Sequence, residues 1–480
     1  MGVPQVRMAT DIPASILTPD SVETRLGTLK FFDGFPDEET VRKVYDNLDF
    51  QRGVEAFLTG LAPGNSCAIR EGYRSFGPDN QTLLMTESLM DARTIYLVAN
   101  TETVYNMAWL DTKDGPLVIE MPPDVLGFMS DFWSRYVTDV GRVGPDRGAG
   151  GKYLLLPPGY EGEVPDGYFV LRSRTYGNAF IFRGFMKDGS LRSAIDATRQ
   201  YYRVYPLDRA DAPPPMELID VSGRYMNTVA PADATLYDLV ATVVHEEPLE
   251  AVDPETRGLL ASIGIRKDAP FAPDQRMRAI LAEAAAVGNA TARAIFFDTR
   301  DRRMHCYPDA GWTLPYYADD VEFSPDGVLD LDARTYYFQG TCQISPAIWV
   351  KIVGAGSQYA VASHDAEGRH LDGGRSYTLH LPPDVPVKDF WSVLVYDPQT
   401  RSMLQTDQRF PSVSSQKEDL AVNADGSADV YFGPEPPVGH ESNWIQTIPG
   451  KGWFVFFRLY GPLEPWFDKT WRPGEIELVG

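Results

Sequence analysis

A chain of 480 residues is longer than one hydrophobic core usually organises, so two or three domains are expected. With 43% hydrophobic and 23% charged residues, its composition is that of a globular protein rather than a disordered one. The 67 acidic residues outnumber the 44 basic ones, and the resulting formal charge of −23 repels phosphodiester backbones and argues against nucleic-acid binding.

Residues 1–30 read as an arm with little periodicity. PDEETVRKVYDNLDF (36–50) then spaces Val41, Val44, Tyr45 and Leu48 as one face of a helix, with acidic residues in its first turn. From about residue 94 to 187 the text turns to short β-branched and aromatic runs punctuated by Asp-Gly, Pro-Pro and Pro-Gly, which predict strands and turns. Two alanine- and leucine-rich stretches, 235–247 and 273–297, predict helices, the second capped by Asp274. A further helix is expected within 333–354, and strands continue to the end. The N-terminal text lacks the basic and apolar regions of a signal peptide, and no apolar run approaches the roughly 18 residues of a membrane span. A soluble, cytoplasmic protein with no membrane span is the expectation.

The two β regions repeat each other. PPDVLGFMSDFWSRYVTD (122–139) answers PPDVPVKDFWSVLVYD (382–397), and GYFVLRSRTYG (167–177) answers GWFVFFRLYG (452–461). Internal duplication is the simplest account, and many short strands close most easily as sandwiches or jelly rolls. The predicted fold is mainly β: two jelly-roll-like β-sandwich lobes, a helical N-terminal layer, and a helical segment between the lobes. The boundaries are 1–93 for the arm and helical layer, 94–215 for the first lobe, 216–318 for the helical connection and 319–480 for the second lobe.

GPDRGAGGKYLLLPPG (144–159) resembles a phosphate loop at first sight. A P-loop requires Ser or Thr after its Gly-Lys and a helix to follow. Here Tyr153 and a strand follow Lys152, so a hairpin connection is expected, with Arg147 and Lys152 kept as candidate contacts for an anionic ligand. Cys67, Cys306 and Cys342 are too scattered for a zinc site or a disulfide framework and read as core thiols. SHDAEGRHLDGG (363–374) is rich in His364, Asp365, Glu367, His370 and Asp372. Its place between two strands favours a solvated hairpin over bound calcium or a transition metal, so no metal site is assigned. NTETVYNMAWLD (100–111), read as a strand, sets Thr101, Thr103, Tyr105, Met107 and Trp109 on one face and Glu102 on the other. Arg172 and Arg174 in RSRTY, and Arg458 in FRLY, are either partners of buried carboxylates or substrate clamps.

These motifs resemble a bacterial family that pairs two domains of unknown function, numbered 1254 and 1214. The resemblance runs from about residue 30 to the end. It is carried by NTETVY, DGPLVIEMPP, the glycine loop through PDGYFV, and RSRTY; then by GAGSQY, LDGGRSYTLHLPPDVPVKDFWSVLVYD, NADGSADVYFGP and SNWIQTIPGKGWFVFFRLYGP. It implies β-sandwiches with helical additions, and no activity. The family's first motif reads Asn-Thr-Asp-Thr, so Glu102 stands where that pattern has Asp.

The functional expectation is an enzyme without metal or organic cofactor, using acid/base chemistry of a hydrolytic or eliminative kind on a small polar, anionic molecule between the lobes. Glu102 would act as general acid or base, Tyr105 as proton donor and Arg174 as anion clamp. Asn100, Thr103, Trp109, Arg147, Lys152, Asn443 and Trp444 complete the candidate ligand-binding set. A non-catalytic glycan or metabolite binder is the alternative. A structural module that self-associates as a homo-oligomer is the third reading.

Overall fold

A computed structural model describes residues 8–479. The expected arm carries a short hairpin, Ser21–Thr24 paired with Gly27–Phe32. The predicted first helix begins where its sequence signals place it: Asp37 accepts a hydrogen bond from the Thr40 amide at 2.7 Å, and Glu38 and Glu39 occupy the first turn. It runs much further than its opening pattern suggests, as α1 (Glu38–Arg74), straight past Gly60, Pro63 and Gly64. Packing accounts for that. A Cβ on Gly64 would stand 2.3 Å from Leu236 Cδ1 and one on Gly60 2.8 Å from Val240, both on α2 (Leu236–Glu246). The glycines that would weaken an isolated helix are what let its neighbour approach. α3 (Gln275–Phe297) crosses α1 in the same manner, and α4 (Leu331–Gly340) packs behind it. By length and composition α3 would suffice to cross a membrane, contrary to the expectation from apolar runs; one third of its most apolar window is buried inside the protein.

The first lobe holds two sheets. In chain order its strands are β1 (Thr82–Met85), β2 (Thr103–Asp111), β3 (Leu117–Met121), β4 (Val125–Asp131), β5 (Tyr136–Gly141), β6 (Gly151–Leu156), β7 (Phe169–Arg172), β8 (Gly177–Phe185), β9 (Arg203–Pro206) and β10 (Glu217–Asp220). One sheet has the order β10-β1-β2-β8-β4-β5 and the other β7-β6-β3-β9. Val104, Ala108 and Leu110 of the first meet Ile119, Tyr153 and Leu155 of the second in one core. The six-stranded sheet thus includes Thr82–Met85 and Glu217–Asp220 as well as strands from residues 94–215.

The second lobe has β11 (Ser357–Ala362), β12 (Tyr377–Leu381), β13 (Val387–Tyr396), β14 (Ser412–Ser414), β15 (Ala428–Gly433), β16 (Trp444–Gln446), β17 (Phe454–Pro462) and β18 (Ile476–Leu478). Its sheets are ordered β11-β17-β13-β14 and β16-β15-β12-β18. Strand for strand this is the order β2-β8-β4-β5 and β7-β6-β3-β9 of the first lobe. The eight shared strands pair antiparallel in both lobes except β6 with β7 and β15 with β16, which are parallel.

The lobes do not stand apart. The outer faces of β2 and β8 (Tyr105, Met107, Trp109, Ile181) and of β11, β13 and β17 (Tyr359, Tyr396, Phe454, Phe456) join the helices in one continuous core. The segment leading into β2 crosses the second lobe: Tyr396 donates to the Ala99 carbonyl at 2.6 Å, and the Val98 amide donates to the Arg401 carbonyl at 3.0 Å.

Candidate functional site

Strand alternation sends Tyr105 of β2 toward the seam between the lobes, and sheet register puts Arg183 of β8 directly opposite it. In the second lobe the same register sets Arg458 of β17 opposite Tyr359 of β11. Each lobe thus contributes one cross-strand Tyr–Arg pair. The four side chains meet, fully buried, around a cavity of about 70 Å³ whose other walls include Tyr96, Phe128, Ile181, Tyr337, Trp349 and Phe456.

The two guanidinium groups are held differently. Arg458 donates from Nη1 to the Val98 carbonyl at 2.8 Å and the Tyr396 hydroxyl at 3.1 Å, and from Nε to the Tyr460 hydroxyl at 3.3 Å. It also stacks 4.7 Å from the centre of the Tyr359 ring. Arg183 lies 5.6 Å from the centre of the Tyr460 ring, and no hydrogen-bond partner among the described residues reaches its buried Nη2. Neither guanidinium has a directly paired carboxylate among the described residues that line the chamber, and enclosing two cations in this way is costly.

That field is visible in the tyrosines. Burial pushes the Tyr105 hydroxyl above its ordinary pKa, against the pull of Arg458 and Arg183. At Tyr359 burial pushes the same way, but the charges of Arg183 and Arg458, together with hydrogen bonding to Ser357 and Arg183, draw the pKa below the ordinary phenol value.

Glu102 lies beside this chamber and does not line it. Its carboxylate accepts from the Thr101 hydroxyl at 2.5 Å, from the Thr101 amide at 3.2 Å and from the Ser392 hydroxyl at 3.3 Å, while Thr101 meets Ser412 at 2.8 Å. Burial raises its pKa, opposed by Thr101 and then by Arg458. The motif around it is a local turn, because Asn100 Oδ1 accepts from the Glu102 amide, the Thr103 amide and the Thr103 hydroxyl at 2.9–3.1 Å. Asn100 also ties the lobes together by donating from Nδ2 to the Tyr460 hydroxyl at 2.6 Å, and its amide donates to the Tyr105 hydroxyl at 3.1 Å. Asn100, Glu102, Thr103 and Tyr105 are therefore brought together at the seam.

The remaining candidates lie elsewhere. Arg174 is exposed and its nearest carboxylate is Glu322, at 3.7 Å. Trp109 packs 4.7 Å from Phe132, on the helix side of the sheet. Asn443 is buried as a strap, exchanging hydrogen bonds with the Ala421 backbone and donating to the Asp429 carbonyl, and Trp444 donates to the Gly433 carbonyl. Arg147 is exposed, and Lys152 pairs with Glu120 at 2.9 Å. The glycine loop encloses its own anion: Asp146 accepts from the Gly141 amide, the Gly150 amide and the Tyr153 hydroxyl at 2.6–3.0 Å. None of Arg174, Trp109, Arg147, Lys152, Asn443 or Trp444 lines the chamber.

The sequence repeat also needs realigning. The strand equivalent to FVFFRLYGP is GNAFIFRGF, not the preceding FVLR, so the counterpart of Arg458 is Arg183 rather than Arg172 or Arg174. Sequence reasoning missed two chamber residues, Tyr359 and Arg183. The one signal of Arg183 is a lone charge inside an apolar strand, FIFRGF, which is costly unless something uses it.

Fold and site together define a two-lobed, mostly β protein with a buried cationic chamber at its seam. Two family models each match part of the chain: that of the protein of unknown function DUF1254 matches residues 80–206, and that of the protein of unknown function DUF1214 matches residues 356–464. No protein with a curated description matches it. Among solved structures it is similar to the VPA0106 protein from Vibrio parahaemolyticus, at 17% identity over 90% of this chain and 100% of that one with a TM-score of 0.56, a likeness of fold. An uncharacterised protein from Burkholderia cenocepacia aligns at 14% identity over 91% and 96% of the two chains, with a TM-score of 0.40.

Proposed function

We propose that the chamber between the lobes binds a small organic acid, its carboxylate between Arg183 and Arg458 and its apolar part against the aromatic walls. The observation that carries this reading is the enclosed Nη2 of Arg183, a donor the fold buries and leaves without a partner among the described residues. A carboxylate accepts strongly from guanidinium donors and offsets the burial of their charge. The test is a thermal-shift panel of short aliphatic and aromatic monocarboxylates against the full chain and its Arg183→Met variant. Stabilisation of the parent chain alone supports the proposal, and equal response of both chains, or of neither, overturns it.

A second reading, that the bound acid undergoes proton transfer, is favoured by the place of Tyr359 in the chamber wall, opposite Arg458 in register and stacked 4.7 Å from its guanidinium, where both arginines favour the phenolate. Tyr359 would exchange a proton at the carbon next to the carboxylate while the arginines hold the charge that develops. Glu102, clamped by three donors, would tune the field from outside the chamber. Deuterium incorporation into a bound acid, followed by NMR, should disappear in Tyr359→Phe while binding persists; exchange unchanged in that variant removes the reading.

We also read the lobes as products of internal duplication with jelly-roll ancestry. Support comes from the shared eight-strand order and from a Tyr–Arg pair at the same register in each lobe.

A further inference from the structure

The hairpin after β11 keeps Asp365 and Asp372 for its own turns. Asp365 accepts from the Glu367 and Arg369 amides and the Arg369 side chain, and Asp372 accepts from the Gly374 amide. Its two histidines are left with no such duty. An antiparallel bridge sets His364 and His370 side by side, with ring centres 4.2 Å apart and planes inclined by 30°. Both rings turn Nε2 to one carboxylate oxygen, Oδ1 of Asp298, at 3.3 and 3.6 Å, and Asp298 caps the C-terminus of α3.

The tautomer of His364 follows from its neighbour. Ser363 spends its only hydroxyl proton on the Phe297 carbonyl at 3.2 Å, so the contact of 3.1 Å between its Oγ and His364 Nδ1 requires Nδ1–H to donate. A neutral His364 then aims the Nε2 lone pair at a carboxylate oxygen, with a second imidazole nitrogen alongside. This sets a lone pair against a carboxylate oxygen, an electrostatic clash. A metal cation relieves it at all three atoms at once.

The distances suit one. Ligands bound at about 2.1 Å in a tetrahedron are spaced by roughly 3.4 Å. The three ligating atoms lie within 4.8 Å of one another, and the two histidine–aspartate separations are already close to that spacing. Ser363 supplies the outer hydrogen bond that orients a metal-bound histidine. Two imidazoles and one carboxylate suit zinc or iron(II) and leave coordination positions free. Asp298 and His370 border a cleft of about 540 Å³, and Asp298 and His364 border a second of about 350 Å³, so those positions face solvent-accessible space.

We propose that His364, His370 and Asp298 form a mononuclear site for a divalent transition-metal ion, with open positions for an oxygen-donor ligand from the adjoining clefts. The site owes nothing to the chamber between the lobes. The full chain, stripped with chelator and dialysed, should bind one equivalent of Zn²⁺ by calorimetry and of Co²⁺ by its visible absorption. His370→Ala and Asp298→Asn replace exposed side chains, and each should weaken binding at least tenfold while leaving the urea midpoint of the metal-free protein unchanged. No binding of either metal to the parent chain, or undiminished binding in both variants, overturns the assignment. Because the readout is metal binding alone, its failure is distinct from failure of the organic-acid proposal.

Discussion

Replacing the two chamber arginines one at a time by methionine, which keeps the length of the stem, separates the residue that holds the fold from the one that holds a ligand. Arg458 makes three hydrogen bonds, to Val98, Tyr396 and Tyr460, and stacks on Tyr359. Hydrogen bonds from a charged donor contribute about 1.5–3 kcal/mol each and are not additive, so Arg458→Met should cost about 2–4 kcal/mol after relief of its own burial is counted. Arg183 has its place beside Tyr359 and a cation–π contact with Tyr460, worth up to ~2 kcal/mol, against an unsatisfied Nη2 that costs ~1–3 kcal/mol. Arg183→Met should therefore be neutral or stabilising by up to ~2 kcal/mol. The assay is urea unfolding of the full chain, with midpoints compared at a common slope. A bound acid at 100 times its Kd should add about 2.7 kcal/mol to the parent chain and nothing to Arg183→Met. If Arg183→Met lost as much stability as Arg458→Met, the division of labour argued for the pair would be wrong.

Asp139 of β5 is buried at the lobe contact, where it accepts from the Ala347 amide at 3.2 Å, and burial raises its pKa from 3.8 to about 7. Unfolding releases that proton wherever the pH lies between the two values, so stability should fall as pH rises from about 4 to 7, by at most ~4 kcal/mol. Asp139→Asn should flatten that part of the profile in chemical denaturation; an unchanged slope would place the effect elsewhere, Glu247 being the first alternative because burial raises it to about 7 as well. Asp146→Ala removes the acceptor of two amides and a tyrosine hydroxyl and should cost about 2–4 kcal/mol in unfolding experiments. Gly64→Ala sets a methyl group against Leu236 and should cost about 1–3 kcal/mol, measured the same way.

Much of the architecture is legible in the chain because period-2 patterning survives in it. Tyr105, Met107 and Trp109 do share a face of β2, and the PPDV repeats do introduce equivalent strands, β4 and β13. What stays hidden depends on contacts between distant elements. Gly60 and Gly64 are poor helix formers, yet the close approach of α2 turns them into a packing surface. FIFRGF and FFRLYG offer no obvious correspondence until sheet register places Arg183 and Arg458 opposite equivalent tyrosines. Asn100, Glu102 and Tyr105 can be singled out from their motif, but that Glu102 is spent on Thr101 and Ser392 depends on a lobe 290 residues further along. The histidines of 363–374 look like turn residues because their third partner, Asp298, lies on another element.

The continuous core has a consequence for how this gene can be cut. A fragment beginning near residue 356, where the second matched region starts, would strip Tyr359, Tyr396, Phe454 and Phe456 of their helical cover and leave a broad oily face bare to water. The two matched regions are, in this protein, parts of one hydrophobic core. Neither half is a natural unit for expression.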